Sequence, residues 1–156
     1  MVDTEKILIA STDTRPFEDR REAGQQLGAF LKKRGVSVTV VLGIPRGGVV
    51  VALEVARSLG ATLDVVLTRK IGAPANPEFA IGAVTEEGHM ILNQEYASLV
   101  GAGEGYLASE REHQQHLIQE RRFRYRSART KVSVANQSVL IIDDGIATGA
   151  TMRASL

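Results

Sequence analysis

The sequence predicts an α/β fold, a three-layer α/β/α arrangement around a mostly parallel sheet. Two observations carry that expectation. Short, nearly continuous apolar runs at 36–42, 63–68 and 138–142 alternate with segments of helical period, the pattern of strands buried beneath crossover helices. Glycine is the one residue in excess, 15 of 156 against about 7% on average, and Gly43, Gly47, Gly48 and Gly145 follow two of the apolar runs. The rest is ordinary for a globular chain: 44% apolar, 24% charged, formal net charge +1. At ~100–200 residues per domain, the length predicts a single domain.

Composition also excludes. With no cysteine, disulfides, thiolate catalysis and Cys-based zinc or iron–sulfur sites are ruled out. Apolar runs such as Val49–Leu53, Val65–Leu67 and Val139–Ile142 fall far below the ~20 residues of a transmembrane helix. Ile7–Ala10 is too short for the apolar core of a signal peptide. These features fit a cytoplasmic protein with no membrane partner. The near-neutral charge supplies no global field toward nucleic acid. Aromatic residues are 4% with no Trp, so the core must be aliphatic.

The elements follow in order. Residues 1–14 read as a lead-in, with Lys6–Ala10 a short strand. The domain proper is expected over 15–156, with a loop and hairpin at 69–93 and a charged helix at 106–128. From Phe17 to Arg34, Ala23, Leu27, Phe30 and Leu31 share one helical face, and Gly35 is a natural stop. Val36–Leu42 reads as a buried strand, followed by GIPRGG (Gly43–Gly48) and a helix over Val49–Leu59 ended by Gly60. Leu63–Thr68 is a second buried strand. Two prolines, a glycine and an Asn in Thr68–Ala80 predict a loop. Ala80–Thr85 and His89–Asn93, joined by Glu86-Glu87-Gly88, predict a small hairpin. The Gly101–Gly105 run follows no strand, so it is a break between helices rather than a dinucleotide loop. Tyr106–Arg126 is a long charged helix. Ser138–Ile142 is a third buried strand, and a helix opens near Thr148. That helix runs only two turns before Leu156. A buried strand wants pairing on both edges, so the chain reads as a fragment that stops short of its C-terminal strands.

The sharpest chemical signal is Val139–Thr151, VLIIDDGIATGAT. A buried strand runs into Asp143 and Asp144, turns at Gly145, and opens a helix at Thr148-Gly149-Ala150-Thr151. N–H groups at a helix start form an anion nest, with the helix dipole behind them. Two carboxylates beside such a nest would repel a phosphate, and make sense as acceptors from a diol or as help for a metal. A sugar phosphate offers both features. Read alone, an Asp-Asp-Gly triplet is an ordinary turn that ends a strand; the Thr-Gly-Ala-Thr that follows argues against that reading.

The second signal is Leu42–Ala52, LGIPRGGVVVA. It is not a Walker A loop, because Val49 and Val50 stand where Lys and Ser/Thr would be. Pro45 stiffens the turn, Gly47 and Gly48 admit close backbone approach, and Arg46 is a forked cation suited to phosphate oxygens. The alternative is a plain strand-to-helix turn with a surface Arg. A third signal is Arg69-Lys70 after Thr68 at the end of the second strand, two cations able to meet the same anion, or else a solvated strand end.

These motifs resemble the phosphoribosyl diphosphate (PRPP) signature of the type I phosphoribosyltransferases. The resemblance spans roughly Phe17–Leu156 and is strongest to a bacterial group of phosphoribosyltransferase-domain proteins sharing FEDRREAG, LGIPRGGVVVA and RKIGAPANPEFAIGAV. It implies that Asp143 and Asp144 bind the ribose hydroxyls and that the turn of Gly145, Ala147, Thr148, Gly149, Ala150 and Thr151 binds the 5′-phosphate. It makes Pro45, Arg46, Gly47 and Gly48 the pyrophosphate loop, with Arg69 and Lys70 as further contacts. It places the strands 36–42 and 138–142 side by side, with 63–68 on the far side of the first. Ile71–Ala80 resembles the family's lid, and Glu78, its only acid, is the one residue singled out for catalysis; the general base is otherwise unassigned. Mg²⁺ is implied, held mainly by PRPP with Asp143 and Asp144 able to contribute.

The implied activity is transfer of a phosphoribosyl group to a nitrogenous base with release of pyrophosphate. The alternative is a regulatory module that senses PRPP or nucleotides without turnover and binds RNA or DNA. Ala147 stands where the hypoxanthine–guanine branch has an Asp, so a 6-oxopurine acceptor does not follow. A homodimer is expected from resemblance alone. The basic run Arg121–Lys131, with Phe123 and Tyr125 interleaved, reads as the end of a charged helix partnered by Glu110, Glu112 and Glu120 rather than as a nucleic-acid site. His113 and His116 lack a third ligand and read as a solvated face.

Overall fold

The structure is a computed structural model that describes residues 9–128, 130–145, 152 and 155. The strand expected at 6–10 and the helix expected from Thr148 fall mostly outside the described residues. Helix α1 spans Arg20–Lys33, and Asp19 caps it by accepting the Glu22 N–H at 2.8 Å. Strand β1 is Val40–Gly43, α2 is Gly47–Leu59 and β2 is Thr62–Val65. Strands β3 (Thr68–Ala73), β4 (Asn76–Thr85) and β5 (Met90–Leu92) follow. A short α3, Gln94–Leu99, then leads to the long α4, Glu104–Ala128. The last strand is β6, Val139–Ile142. Among the described residues no helix is long and apolar enough to cross a membrane.

Two sheets result. The first is parallel, in the order β2-β1-β6, with Gly43 level with Val65 on one side and Ile142 on the other. All four residues of β1 are buried, as its continuous apolar run predicts for a central parallel strand. One face packs on α2 through Val41, Val51, Ala52, Val55 and Ile142, with Leu27 and Leu31 of α1 behind. Full burial of each aliphatic side chain there is worth roughly 1.5–3 kcal/mol. Helix α1 lies on α2 through Gly24 and Gly28, one turn apart on its buried side. A Cβ on Gly24 would sit 2.7 Å from the Val51 carbonyl oxygen, and one on Gly28 2.7 Å from Ser58 Cβ. The helices can approach so closely because those two side chains are absent.

The second sheet is antiparallel, in the order β3-β4-β5. It corrects the expectation of a loop over Thr68–Ala80. Those residues form a hairpin turning at Pro74 and Ala75, with register shifts between Ile71 and Ala73. Gly72 is needed at the shift: a Cβ there would lie 2.5 Å from the Pro77 carbonyl oxygen. Pro and Gly mark a loop only when the neighbours do not pair, and here the pairing of Arg69 with Val84 and Lys70 with Ala83 decides otherwise. The predicted hairpin of 80–85 with 89–93 is present as β4 and β5. A second correction concerns Leu63–Thr68: the run is divided, with Val65 ending β2 and Thr68 starting β3.

Helix α4 covers the antiparallel sheet, with Ile118 packed against Leu67, Ile71, Ile81 and Val84. The Tyr106 hydroxyl donates to the Gly72 carbonyl at 2.8 Å. At its far end Arg126, 14% exposed, donates to Asp64 of β2, 4% exposed, at 2.6 Å. Asp64 also accepts the Val132 N–H at 2.8 Å. Glu86, just after β4, lies 3.1 Å from Arg122 and 3.7 Å from Arg126 and Lys131. The basic end of α4 therefore ties the two sheets together. Among the described residues its ion-pair partners are Asp64 and Glu86 rather than the expected Glu110, Glu112 and Glu120, because the face bearing Arg122 and Arg126 turns toward the sheets.

Candidate active site

The candidate site follows from the strand order. β1 and β6 are adjacent and parallel, so the segments leaving them, residues 44–48 and 143–145, emerge at the same carboxyl edge. The Ile44 N–H donates to the Ile142 carbonyl at 2.9 Å, which continues the pairing one step past the strand end. In an open α/β sheet the crevice for a ligand forms where neighbouring connections diverge. Here β1 connects to β2 on one side while β6 lies on the other, and the two turns form the lips.

On one lip, α2 begins at Gly47 and Gly48 with Arg46 at the N-cap position and no side-chain cap. No acidic residue of the helix itself occupies its first turn, so its first N–H groups have no capping side chain. Arg46 is exposed and makes no side-chain hydrogen bond or ion pair among the described residues. Pro45 precedes it through a cis peptide. On the other lip stand Asp143 and Asp144. A Cβ on Gly48 would lie 2.9 Å from both Asp143 Cα and the Ile142 oxygen, and a Cβ on Gly47 would collide with the Asp144 carboxylate. The glycines are required at this crossing because the acids take the space a side chain would fill.

The two carboxylates differ. Partial burial pushes the Asp143 carboxyl above its ordinary value, and the adjacent Asp144 carboxylate adds to the rise. A hydrogen bond from Arg20 Nε at 2.7 Å holds Asp144 below the usual range. Asp143 Oδ1 also accepts the Asp144 N–H at 2.9 Å, which fixes their mutual orientation. Arg20, the first residue of α1, carried no role in the sequence reading. Its only signal is its place in FEDRREAG, 124 positions before Asp144, and no local pattern connects the two.

Arg69, Lys70 and Glu78 lie on the second sheet. Arg69 Nε donates to Gln114 of α4, and Lys70 Nζ meets Glu78 Oε2 at 2.8 Å across the hairpin. Adjacent strand residues point to opposite faces, so Arg69 and Lys70 do not converge on one anion. None of the three makes a hydrogen bond or ion pair with Gly47, Gly48, Asp143 or Asp144 among the described residues. Ala147, Thr148, Gly149, Ala150 and Thr151 lie outside the described residues. His113 and His116 are exposed on α4, as expected of a solvated face. Of the interleaved aromatics, Tyr125 packs against the second sheet's core, while Phe123 is 79% exposed.

With that geometry in place, likeness to known proteins decides the family. The profile of the phosphoribosyl transferase domain matches residues 24–156. The chain belongs to the phosphoribosyl transferase domain family. Two proteins of Mycobacterium tuberculosis, one from strain CDC 1551 / Oshkosh and one from strain ATCC 25618 / H37Rv, are each 42% identical over 139 residues. Both bear the name "Putative phosphoribosyl transferase". The match covers 89% of this chain and 31% of each relative, so the chain spans about a third of their length. The crystal structure of TT1426 from Thermus thermophilus superposes with a TM-score of 0.76 at 50% identity, covering 90% of this chain and 67% of that one. The α/β fold with a parallel sheet is thus that of a phosphoribosyl transferase domain.

Proposed function

We propose that this domain binds PRPP and transfers its phosphoribosyl group to a nitrogenous base, releasing pyrophosphate. One observation carries the reading: an uncapped, glycine-lined helix start and a pair of carboxylates touch across one sheet edge. A diphosphate needs N–H donors and a cation; a ribose diol needs carboxylate acceptors. PRPP carries both groups on one small molecule. In this reading Gly47, Gly48 and Arg46 take the diphosphate, Asp143 and Asp144 take the ribose hydroxyls, and the segment 147–151 takes the 5′-phosphate. Arg69, Lys70 and Glu78 are left to the hairpin that carries them.

The reaction is displacement at C1 of the ribose. The bond to the acceptor nitrogen forms, the C1–O bond to diphosphate breaks with its electron pair leaving on oxygen, and the acceptor releases a proton. Charge builds on the departing diphosphate, and preorganised N–H donors with Arg46 stabilise it there. Holding the sugar by its hydroxyls while gripping the diphosphate converts the encounter into an oriented one. Among the described residues no group of three or more His, Asp or Glu could hold a metal by itself. Two adjacent carboxylates do suit Mg²⁺, which binds through one or two carboxylates together with substrate phosphate oxygens. When bound, the ion would neutralise diphosphate charge, with Asp143 and Asp144 as its protein contacts.

Calorimetry with PRPP and Mg²⁺ tests this directly. Binding is expected for the parent, with a loss of at least tenfold on replacing both Asp143→Asn and Asp144→Asn, as removal of charge-assisted hydrogen bonds implies. Equal affinity in parent and variant would remove the ribose role. Turnover against a panel of nucleobases then separates a transferase from a protein that only senses PRPP.

A further inference from the structure

We infer that Arg20 is a further diphosphate-binding residue, parked on Asp144 until the substrate arrives; the inference rests on the reading of the cleft given above. Three observations place it. Its Nε lies 2.7 Å from Asp144 Oδ2. A Cβ built on Gly47 would stand 2.7 Å from that same Nε and nearer still to the Asp144 carboxylate, so guanidinium and carboxylate lie together over the first residue of α2. Its side chain is 61% exposed, and its Nη groups make no hydrogen bond among the described residues.

The chemistry follows from this placement. A guanidinium is a planar fork that can donate to two anionic oxygens at once, and here only one of its donors is engaged. Arg20 offsets Asp144, which would otherwise face Asp143 with no cation beside it. A sugar diphosphate brings hydroxyl donors to Asp144 and anionic oxygens to the start of α2. Once the hydroxyls satisfy Asp144, the free Nη donors of Arg20 would turn to the diphosphate. Arg20 would thus counter the repulsion between the two acids and the polyanion they must admit. Arg46 reaches the same anion from the other end of the turn.

The test compares three probes on the full chain with Mg²⁺: PRPP, inorganic pyrophosphate and ribose 5-phosphate. Arg20→Gln is expected to weaken PRPP and pyrophosphate about tenfold or more, the scale of one lost charge-assisted hydrogen bond. Ribose 5-phosphate, which lacks the diphosphate, is expected to change less than about threefold on the same scale. Arg20→Lys, which keeps the charge and spares the helix start, should recover most of the pyrophosphate affinity. Equal losses for all three probes would mean that Arg20 only shapes the cleft, and would overturn the inference. So would pyrophosphate affinity unchanged in Arg20→Gln, or Arg20→Lys binding pyrophosphate no better than Arg20→Gln. Should Arg20→Gln fail to fold, Arg20→Met takes its place, with the same selective loss expected and the same outcomes overturning the inference. A parent that binds none of the probes would overturn the reading of the cleft itself, a distinct result.

Discussion

Asp143 and Asp144 are neighbours in sequence and opposites in environment. Asp144 has a guanidinium 2.7 Å away and is held ionised; Asp143 is more enclosed and resists ionisation. The signs differ accordingly. The depressed value of Asp144 contributes stability that is present above its unfolded value and lost as pH falls through its lower folded value. The raised value of Asp143 works the other way: stability rises as pH falls through its folded value, because the enclosed carboxylate becomes neutral. Acidification from neutral pH should therefore weaken PRPP binding first, as Asp143 loses an acceptor oxygen, while the fold holds or gains. Calorimetry and urea unfolding over a series from neutral to about pH 4 would show affinity falling before stability. In Asp143→Asn the first affinity step should vanish, and its unfolding free energy at neutral pH should match or exceed the parent's. Affinity and stability falling together would refute this.

At the scale of elements, the cleft depends on how closely α1 approaches α2. That contact is made across Gly24 and Gly28, and it sets where Arg20, at the start of α1, meets Asp144. Gly24→Ala places a methyl group 2.7 Å from a backbone carbonyl that cannot swing aside. Overpacking of this kind costs typically 1–3 kcal/mol, against a gain of roughly 0.5–1 kcal/mol from Ala over Gly in a helix. The expected net effect is destabilisation by about 1–2 kcal/mol in urea unfolding. Gly28→Ala meets a side-chain carbon, Ser58 Cβ, and should cost less when combined with Ser58→Gly. A Gly24→Ala protein as stable as the parent would show that the helices are free to part.

At the scale of the whole molecule, two sheets of different kind are tied by one ionic cluster. Asp64 belongs to the parallel sheet, Glu86 follows the antiparallel one, and Arg126 of α4 meets both. Removing one partner strands a buried charge, at a cost of about 3–5 kcal/mol. Asp64→Ala should lower stability on that scale, and also orphans the Val132 N–H. Replacing the pair together, Asp64→Leu with Arg126→Met, should cost far less than the sum of the single changes, since neither leaves a charge unpaired. A double-mutant cycle in urea reads the coupling directly; additive effects would show that the cluster does not join the sheets.

Much was legible in the chain alone. The nearly continuous apolar run at 36–42 betrays the central parallel strand β1, because a strand covered on both faces has no solvent side to mark, and the run at 138–142 betrays its neighbour β6. The two acids after one strand and the two glycines after another were also visible in sequence, and the structure brings them to one sheet edge. What the chain alone could not decide is which distant residues meet. The hairpin at 68–85 hides behind Pro and Gly because pairing is settled across the strands. The meeting of Arg20 with Asp144, and of Arg126 with Asp64 and Glu86, arises only when helices and sheets dock. Contacts between residues far apart in sequence leave no periodicity behind, so only the tertiary structure discloses them.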